Sequence, residues 1–233
     1  MAEAPVDHPF VAGLPLVLGG NVFGWTIGRD ESFAVLDAFF EAGGRMIDTA
    51  EGYSNWVPGN RGGESEAIIG EWQESRGVRA HLRIATKTGQ GGAPGALSAP
   101  AVAAALASSL DRLRTDHVDL YYAHRDDRAT PLDEVAGVYD EIFRSGRARE
   151  LGASNYEAGR LAEIAEVADR IGARPFTVAQ PLYNLVQRRE YEGPLQDLCV
   201  ARGIAVLPYY GLSSGFLTGK YRDAGDWAGS SRA

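Results

Sequence analysis

The sequence predicts an α/β fold, a (β/α)8 TIM barrel. Short apolar runs typical of buried parallel strands alternate with amphipathic helical segments along the chain. A doubly wound sheet shares this alternation but concentrates its signature in one glycine-rich turn, and Gly19-Gly20 is followed by no G-x-G-x-x-G. Nearly every run ends instead in a polar group, a pattern typical of the barrel. These groups are Asp48, Lys87, His124, Ser154-Asn155, Gln180 and Tyr209.

Seven strands and six helices follow in order. The strands are predicted over residues 14–18, 45–48, 82–86, 118–123, 148–153, 176–179 and 204–207. The helices are predicted over 30–40, 64–75, 98–113, 131–143, 156–170 and 190–201. The first helix opens at Asp30 and Ser32 and stops at Gly43-Gly44, and Asn155 is positioned to cap the fifth helix.

The end of the chain offers no eighth strand. No apolar run fit for a central strand follows Leu207, and residues 222–233 have the composition of an exposed loop or tail. We therefore expect one barrel domain over residues 1–233 that is C-terminally incomplete, a shorter version of a longer protein. Such a barrel has two open sheet edges, which are a liability for aggregation.

Composition narrows the class of protein. A formal net charge of −8 argues against a nucleic-acid surface. One cysteine, Cys199, excludes a disulfide framework and suits a reducing compartment; we expect it to be a small core residue. Residues 1–10 lack the apolar region of a secretory signal, and no stretch is long and apolar enough for a membrane span. We expect a cytoplasmic protein that contacts neither membrane nor nucleic acid and holds no metal.

Four polar residues at these strand ends suggest one chemistry. A free tyrosine, with a pKa of about 10, is a poor proton donor at neutral pH. A lysine ammonium about 4 Å away favours the phenolate by roughly 4 kcal/mol at an effective dielectric of 20. Tyr53 is thus a candidate general acid, Lys87 the group that lowers its pKa, and Asp48 the partner that keeps Lys87 charged. A neutral His124 would orient a substrate carbonyl.

Each of these residues also has a structural alternative. Asp48 could cap the following loop, and Tyr53 could be an amphipathic wall residue. Lys87 could be a solvated loop lysine, and His124 could join a surface ion-pair group with its charged neighbours. The functional interpretation explains all four residues by one mechanism, the reduction of a carbonyl.

Six segments, in order, resemble motifs of the aldo-keto reductase family. Asp48-Thr49-Ala50-Glu51-Gly52-Tyr53 resembles its Asp-Thr-Ala-x-x-Tyr motif, and Thr86-Lys87 and His124 its lysine and histidine positions. The remaining segments are similar to Gly-x-Ser-Asn, to Gln-x-x-Tyr-Asn and to the family's phosphate-loop region: Gly152-Ala153-Ser154-Asn155, Gln180-Pro181-Leu182-Tyr183-Asn184, and Tyr209 to Tyr221. In the last, Tyr210-Gly211 replaces the usual Ser-Pro.

The resemblance implies a role for each matched residue. Asp48, Tyr53, Lys87 and His124 would form the catalytic tetrad, acting on a small carbonyl substrate with NADPH. The cofactor would be held by Ser154, Asn155 and Gln180 at the carboxamide, by Tyr209 stacked on the ring, and by Tyr210, Leu212 and Lys220 near the pyrophosphate. Trp25 and Trp56 would line the substrate pocket. The region that grips the 2′-phosphate in the family would lie beyond this chain.

Two other functions stay open. Potassium-channel β subunits look like this family, and a regulatory redox sensor with little turnover would use the same site. A Schiff-base lyase using Lys87 is the other alternative, because barrels host such chemistry. The sequence predicts neither the physiological substrate nor the oligomeric state.

Overall fold

The structure, a computed structural model, describes residues 14–221. Strands and helices alternate along this part of the chain. The strands are β1 Val17–Gly19, β2 Met46–Asp48, β3 Arg83–Thr88, β4 Leu120–Ala123, β5 Leu151–Ser154, β6 Val178–Gln180 and β7 Ala205–Val206. The helices are α1 Arg29–Glu41, α2 Glu64–Arg76, α3 Ala99–Leu113, α4 Leu132–Arg144, α5 Ala158–Ile171 and α6 Pro194–Arg202. Short 3-10 turns occupy Arg79–His81 and Ser213–Thr218.

All seven strands form one parallel sheet in sequence order. The sheet is curled, because Gln180 Nε2 at the end of β6 lies 3.1 Å from Asp48 Oδ1 at the end of β2. Four strand spacings would separate these strands by about 19 Å in a flat sheet. The prediction of a (β/α)8 barrel lacking its eighth strand is thereby confirmed over the described residues. The predicted tail at 222–233 lies outside them.

Alternation along the strands separates the core into two layers. The barrel interior is a small cluster formed by Met46, Ala85, Leu120, Tyr122 and Val178. The intervening strand residues, such as Ile47, Ile84, Tyr121 and Ala179, face the helices and join a much larger cluster. Because side chains alternate with a period of two, Asp48, Lys87 and Gln180 continue the inner row toward the carboxyl ends of their strands.

The predicted elements are confirmed, with shifts at several ends. Helix α6 begins four residues later than predicted, at Pro194, because Gly193 takes a left-handed φ of 94° and proline suits the first helical turn. Cys199 on α6 is 2% exposed, a core residue as expected. The proposed cap at Asn155 is wrong: α5 begins at Ala158 after Glu157, and Asn155 itself is left-handed with a φ of 57°.

Between Leu14 and Tyr221, no helix combines the length and the apolar character that a membrane crossing requires.

Candidate active site

The carboxyl ends of β2, β3, β5 and β6 bring four polar side chains into the barrel mouth. Asp48, Lys87, Ser154 and Gln180 are each at most 7% exposed. Their inward direction follows from strand alternation, since each lies two residues beyond a member of the interior cluster or of its inner row. The sheet therefore gathers residues that are up to 132 positions apart in sequence.

Lys87 is the centre of this group. Its Nζ donates hydrogen bonds to Asp48 Oδ2 at 2.6 Å, to the Thr49 carbonyl at 2.7 Å and to the Tyr53 hydroxyl oxygen at 2.9 Å. An ammonium has three hydrogens and no acceptor, so these bonds use all of them. Because the Tyr53 oxygen accepts a hydrogen bond from Lys87, the hydroxyl proton of Tyr53 points away from Lys87. The structural alternative of a solvated Lys87 is wrong, since the side chain is 1% exposed.

The charges of this group are set by burial and by close partners. Burial lowers the pKa of Lys87, but Asp48 and then Tyr53 raise it above its ordinary value, so the amine is an ammonium at neutral pH. Burial raises the pKa of Tyr53, and Lys87 reverses only part of that rise. The expectation of a net lowering at Tyr53 is therefore wrong for this structure, because desolvation outweighs the attraction of the ammonium.

His124 follows β4, and its ring lies beside Tyr53 with 6.0 Å between the ring centroids. Burial, helped by the positive charges of Lys87 and Arg125, lowers the pKa of His124 to about 3. The imidazole is consequently neutral at physiological pH, as the sequence predicts. Its buried Nδ1 has no hydrogen-bond partner among residues 14–221.

The residues expected to hold a nicotinamide carboxamide form one hydrogen-bonded group. Asn155 Nδ2 donates to the His124 carbonyl at 2.9 Å and to Ser154 Oγ at 3.0 Å, and its Oδ1 accepts from the Tyr209 hydroxyl at 2.7 Å. Gln180 Nε2 donates a hydrogen bond to Asp48 Oδ1 at 3.1 Å. A carboxamide needs both donors and acceptors, and this set of side chains fits one.

The loop after β7 carries the other residues expected to contact a dinucleotide. Tyr210 is 46% exposed with a left-handed φ of 58°, and its ring centroid lies 5.1 Å from that of Tyr209. Leu212 is 61% exposed. Lys220 Nζ lies 4.8 Å from the centre of the Tyr221 ring. The structure thus places Tyr210 against Tyr209, and the pyrophosphate role of these residues stays a prediction.

Trp56 lies beside Tyr53, the general-acid candidate, and Trp25 packs against Trp56. The ring centroid of Trp56 lies 5.4 Å from that of Trp25 and 6.3 Å from that of Tyr53, with edge-to-face geometry in both pairs. Trp56 is 43% exposed. The predicted pocket residues therefore lie together, as an aromatic wall beside Tyr53. No group of three or more His, Cys, Asp or Glu side chains within residues 14–221 is arranged to hold a metal ion.

A family model confirms the assignment that this geometry suggests. The model of the aldo/keto reductase family matches residues 15–232. This chain belongs to the aldo/keto reductase family.

Individual relatives are about one-third identical to the chain over the aligned residues. Norsolorinic acid reductase B of Aspergillus parasiticus is 31% identical over 218 residues, covering 86% of this chain and 55% of the relative. The aryl-alcohol dehydrogenase (NADP+) of Phanerodontia chrysosporium is 30% identical, covering 82% and 51%. A probable voltage-gated potassium channel subunit beta of Oryza sativa is 34% identical, covering 85% and 60%. The chain thus spans between 51% and 60% of the length of these three relatives.

Sequence reasoning missed one aromatic residue of the candidate active site. Tyr122 is fully buried inside the barrel, and Lys87 Nζ lies 6.0 Å from the centre of its ring. Gly152 on β5 makes the space, because a Cβ there would lie 2.5 Å from two ring carbons of Tyr122. Alternation along β4 could have identified Tyr122, which lies two residues before His124 on the same face.

Proposed function

We propose that this protein reduces aldehydes or ketones to alcohols with NADPH. The observation that carries the proposal is the position of Lys87 Nζ, 2.9 Å from the Tyr53 hydroxyl and 2.6 Å from the Asp48 carboxylate. That arrangement prepares one phenol to give up a proton beside a charged, buried ammonium. Membership of the aldo/keto reductase family and the names of the relatives support the same reaction.

When bound, the dihydronicotinamide supplies a hydride to the carbonyl carbon. Tyr53 supplies the proton: its O–H bond breaks as the carbonyl oxygen accepts this proton. Burial raises the pKa of Tyr53, so the phenol carries its proton at neutral pH, and the ammonium of Lys87 opposes that rise and favours release of the proton. The phenolate that forms keeps the hydrogen bond from Lys87, and this bond becomes stronger because both partners are then charged.

The neighbouring residues would hold the reactants. His124, neutral and beside Tyr53, donates a hydrogen bond to the carbonyl oxygen. Ser154, Asn155 and Gln180 bind the carboxamide, and Tyr209, Tyr210, Leu212 and Lys220 contact the rest of the dinucleotide. We also propose aromatic carbonyl compounds as substrates, because Trp25 and Trp56 form an edge-to-face wall beside the general acid. The aryl-alcohol dehydrogenase among the relatives supports both this choice and NADPH.

Substitution of the general acid tests the proposal. In Tyr53→Phe we expect the kcat for NADPH-dependent reduction of aromatic aldehydes to fall by about 10² to 10⁴. NADPH binding, followed by fluorescence titration, should stay close to that of the wild type. Tyr191→Phe is the matched control, because this ring packs against Tyr183 outside the site. Wild-type kcat in Tyr53→Phe would refute the assignment.

Two competing functions make different predictions. A redox sensor like the channel subunits would bind NADPH but consume almost none with any carbonyl compound. A Schiff-base lyase needs a neutral lysine amine, and the ammonium of Lys87 is held charged with all three hydrogens bonded, which argues against it. Borohydride trapping of a substrate on Lys87 would favour the lyase. Parallel titration with NADPH and NADH tests the choice of cofactor.

A further inference from the structure

Two threonines flank Lys87 on the opposite face of β3. Thr86 and Thr88 point toward the helices, whereas Lys87 points into the barrel. Each hydroxyl donates a hydrogen bond to a carboxylate. Thr86 Oγ1 bonds Glu66 of α2, and Thr88 Oγ1 bonds Glu51 at 2.5 Å.

Glu51 belongs to residues 49–54, which directly follow β2 and are called the Tyr53 segment below. One oxygen, Glu51 Oε1, accepts from both Thr88 Oγ1 and the Gly89 amide, the latter at 2.8 Å. The backbone amide of Glu51 also donates to the Lys87 carbonyl at 3.1 Å. Three hydrogen bonds therefore tie Glu51, which lies two residues before Tyr53, to the end of β3. Their partners are Lys87 and the two residues that follow it.

Before Glu51, the Thr49 backbone also bonds β3, because its amide donates to the Ala85 carbonyl at 2.9 Å and its carbonyl accepts from Lys87 Nζ at 2.7 Å. After Glu51, two contacts of the Tyr53 segment reach different parts of the fold. Ser54 Oγ donates to the Phe23 carbonyl at 2.9 Å, and the Gly63 amide donates to the Tyr53 carbonyl at 3.2 Å. Neither contact involves β3. The side chain of Glu51 thus bonds both the Thr88 hydroxyl of the strand carrying Lys87 and the Gly89 amide that directly follows this strand.

We propose that Glu51 is a positioning residue, which sets the distance between the Tyr53 hydroxyl and Lys87 by fastening the Tyr53 segment to β3. It does so from the outer face of the sheet and touches neither substrate nor cofactor. Because a misplacement of about 1 Å at a reacting centre costs on the order of 10²-fold in rate, a looser attachment reduces kcat. The inference rests on the proposed reductase function only for this kinetic consequence.

The chain offers closely matched variants. Glu51→Ala removes the acceptor, whereas Glu51→Gln retains it, because both side-chain bonds use the same oxygen. Thr88→Val removes one donor, and Thr86→Val makes the same change two residues away. Thr86→Val removes the hydrogen bond to Glu66, which also accepts a hydrogen bond from Arg112 at 2.7 Å. Glu66 is not in the Tyr53 segment. Thr86→Val therefore controls for a general loss of stability.

A spectroscopic readout independent of activity is available, because the chain contains only two lysines, Lys87 and Lys220. Labelling with ¹⁵Nζ-lysine gives two ammonium signals, and Lys87→Met assigns them. The chemical shift of the Lys87 signal reports the hydrogen bond from Lys87 to Tyr53. The chemical shift measured in Tyr53→Phe gives the position of the signal when that bond is lost. We expect Glu51→Ala and Thr88→Val to move the signal toward that position. Glu51→Gln and Thr86→Val should leave it unchanged.

The kinetic experiment uses the same variants. We expect kcat to fall by about tenfold or more in Glu51→Ala and Thr88→Val, with NADPH affinity close to that of the wild type. Glu51→Gln and Thr86→Val should retain most of the wild-type kcat. Unfolding by urea measures the loss of stability in each, so that a kcat effect shared equally with Thr86→Val would overturn the inference.

The outcomes separate this inference from the proposed function. A wild-type protein that consumes no NADPH with any carbonyl contradicts the proposed function, and the lysine spectrum still decides the role of Glu51. An unmoved Lys87 signal in both Glu51→Ala and Thr88→Val overturns the inference, whether or not the wild type is active. If Glu51→Ala fails to fold, Thr88→Val decides by the same two measurements.

Discussion

Replacement of His124 by asparagine should reduce the loss in free energy of unfolding that the protein undergoes as the pH falls. Folding holds the imidazole neutral, because burial and the nearby charges of Lys87 and Arg125 lower its pKa from 6.5 to about 3. A group with a lowered basic pKa contributes stability above its unfolded value and loses it as the pH falls. The contribution of His124 is therefore complete above about pH 7 and declines from there toward pH 3.

The magnitude follows from proton linkage. Between the two pKa values the unfolded chain binds one proton that the folded chain does not, so His124 contributes a slope of about 1.4 kcal/mol per pH unit. From about pH 7.5 to about pH 4.5 this amounts to roughly 2 to 3 kcal/mol of the free energy of unfolding.

Urea denaturation at a series of pH values measures this difference. The wild type should lose about 2 to 3 kcal/mol more than His124→Asn over that interval. Carboxylates that titrate at the lower end are common to both proteins and cancel in the comparison. Parallel curves for the wild type and His124→Asn would show that the imidazole ionises normally in the folded chain, which contradicts the reasoning.

Three further predictions concern the same region. Lys87→Met should lower the free energy of unfolding by about 3 to 5 kcal/mol, because it leaves the buried Asp48 carboxylate without its partner; adding Asp48→Asn should recover part of this loss in urea denaturation. Gly152→Ala should cost about 1 to 3 kcal/mol, because the new methyl group meets the Tyr122 ring. Tyr122→Leu in that background should lessen the cost, and equal stability of Gly152→Ala and wild type would contradict the packing. Trp56→Ala should raise KM for aromatic aldehydes more than for aliphatic ones, and an equal change for both classes would count against an aromatic wall.

The order and type of the elements could be predicted because buried parallel strands and amphipathic helices have different periods. The continuous apolar run at β4 and the helical spacing of α3 are local features, so they are visible without a fold. Element ends were less predictable, as at α6, where Gly193 and Pro194 fix the start by backbone conformation. The cap proposed at Asn155 failed for a tertiary reason: its side chain bonds the His124 carbonyl and the Tyr209 hydroxyl instead of the helix.

The strand-end chemical groups can be identified from the amino-acid sequence, and strand alternation implies that they face the same side. Asp48, Lys87 and Gln180 needed no coordinates to be placed at one end of one sheet. How closely these side chains approach depends on the folded chain, because the curl of the sheet brings β2 and β6 together. The folded chain also decides the net pKa of Tyr53, since desolvation depends on every surrounding atom, whereas the attraction of one ammonium can be foreseen from a motif.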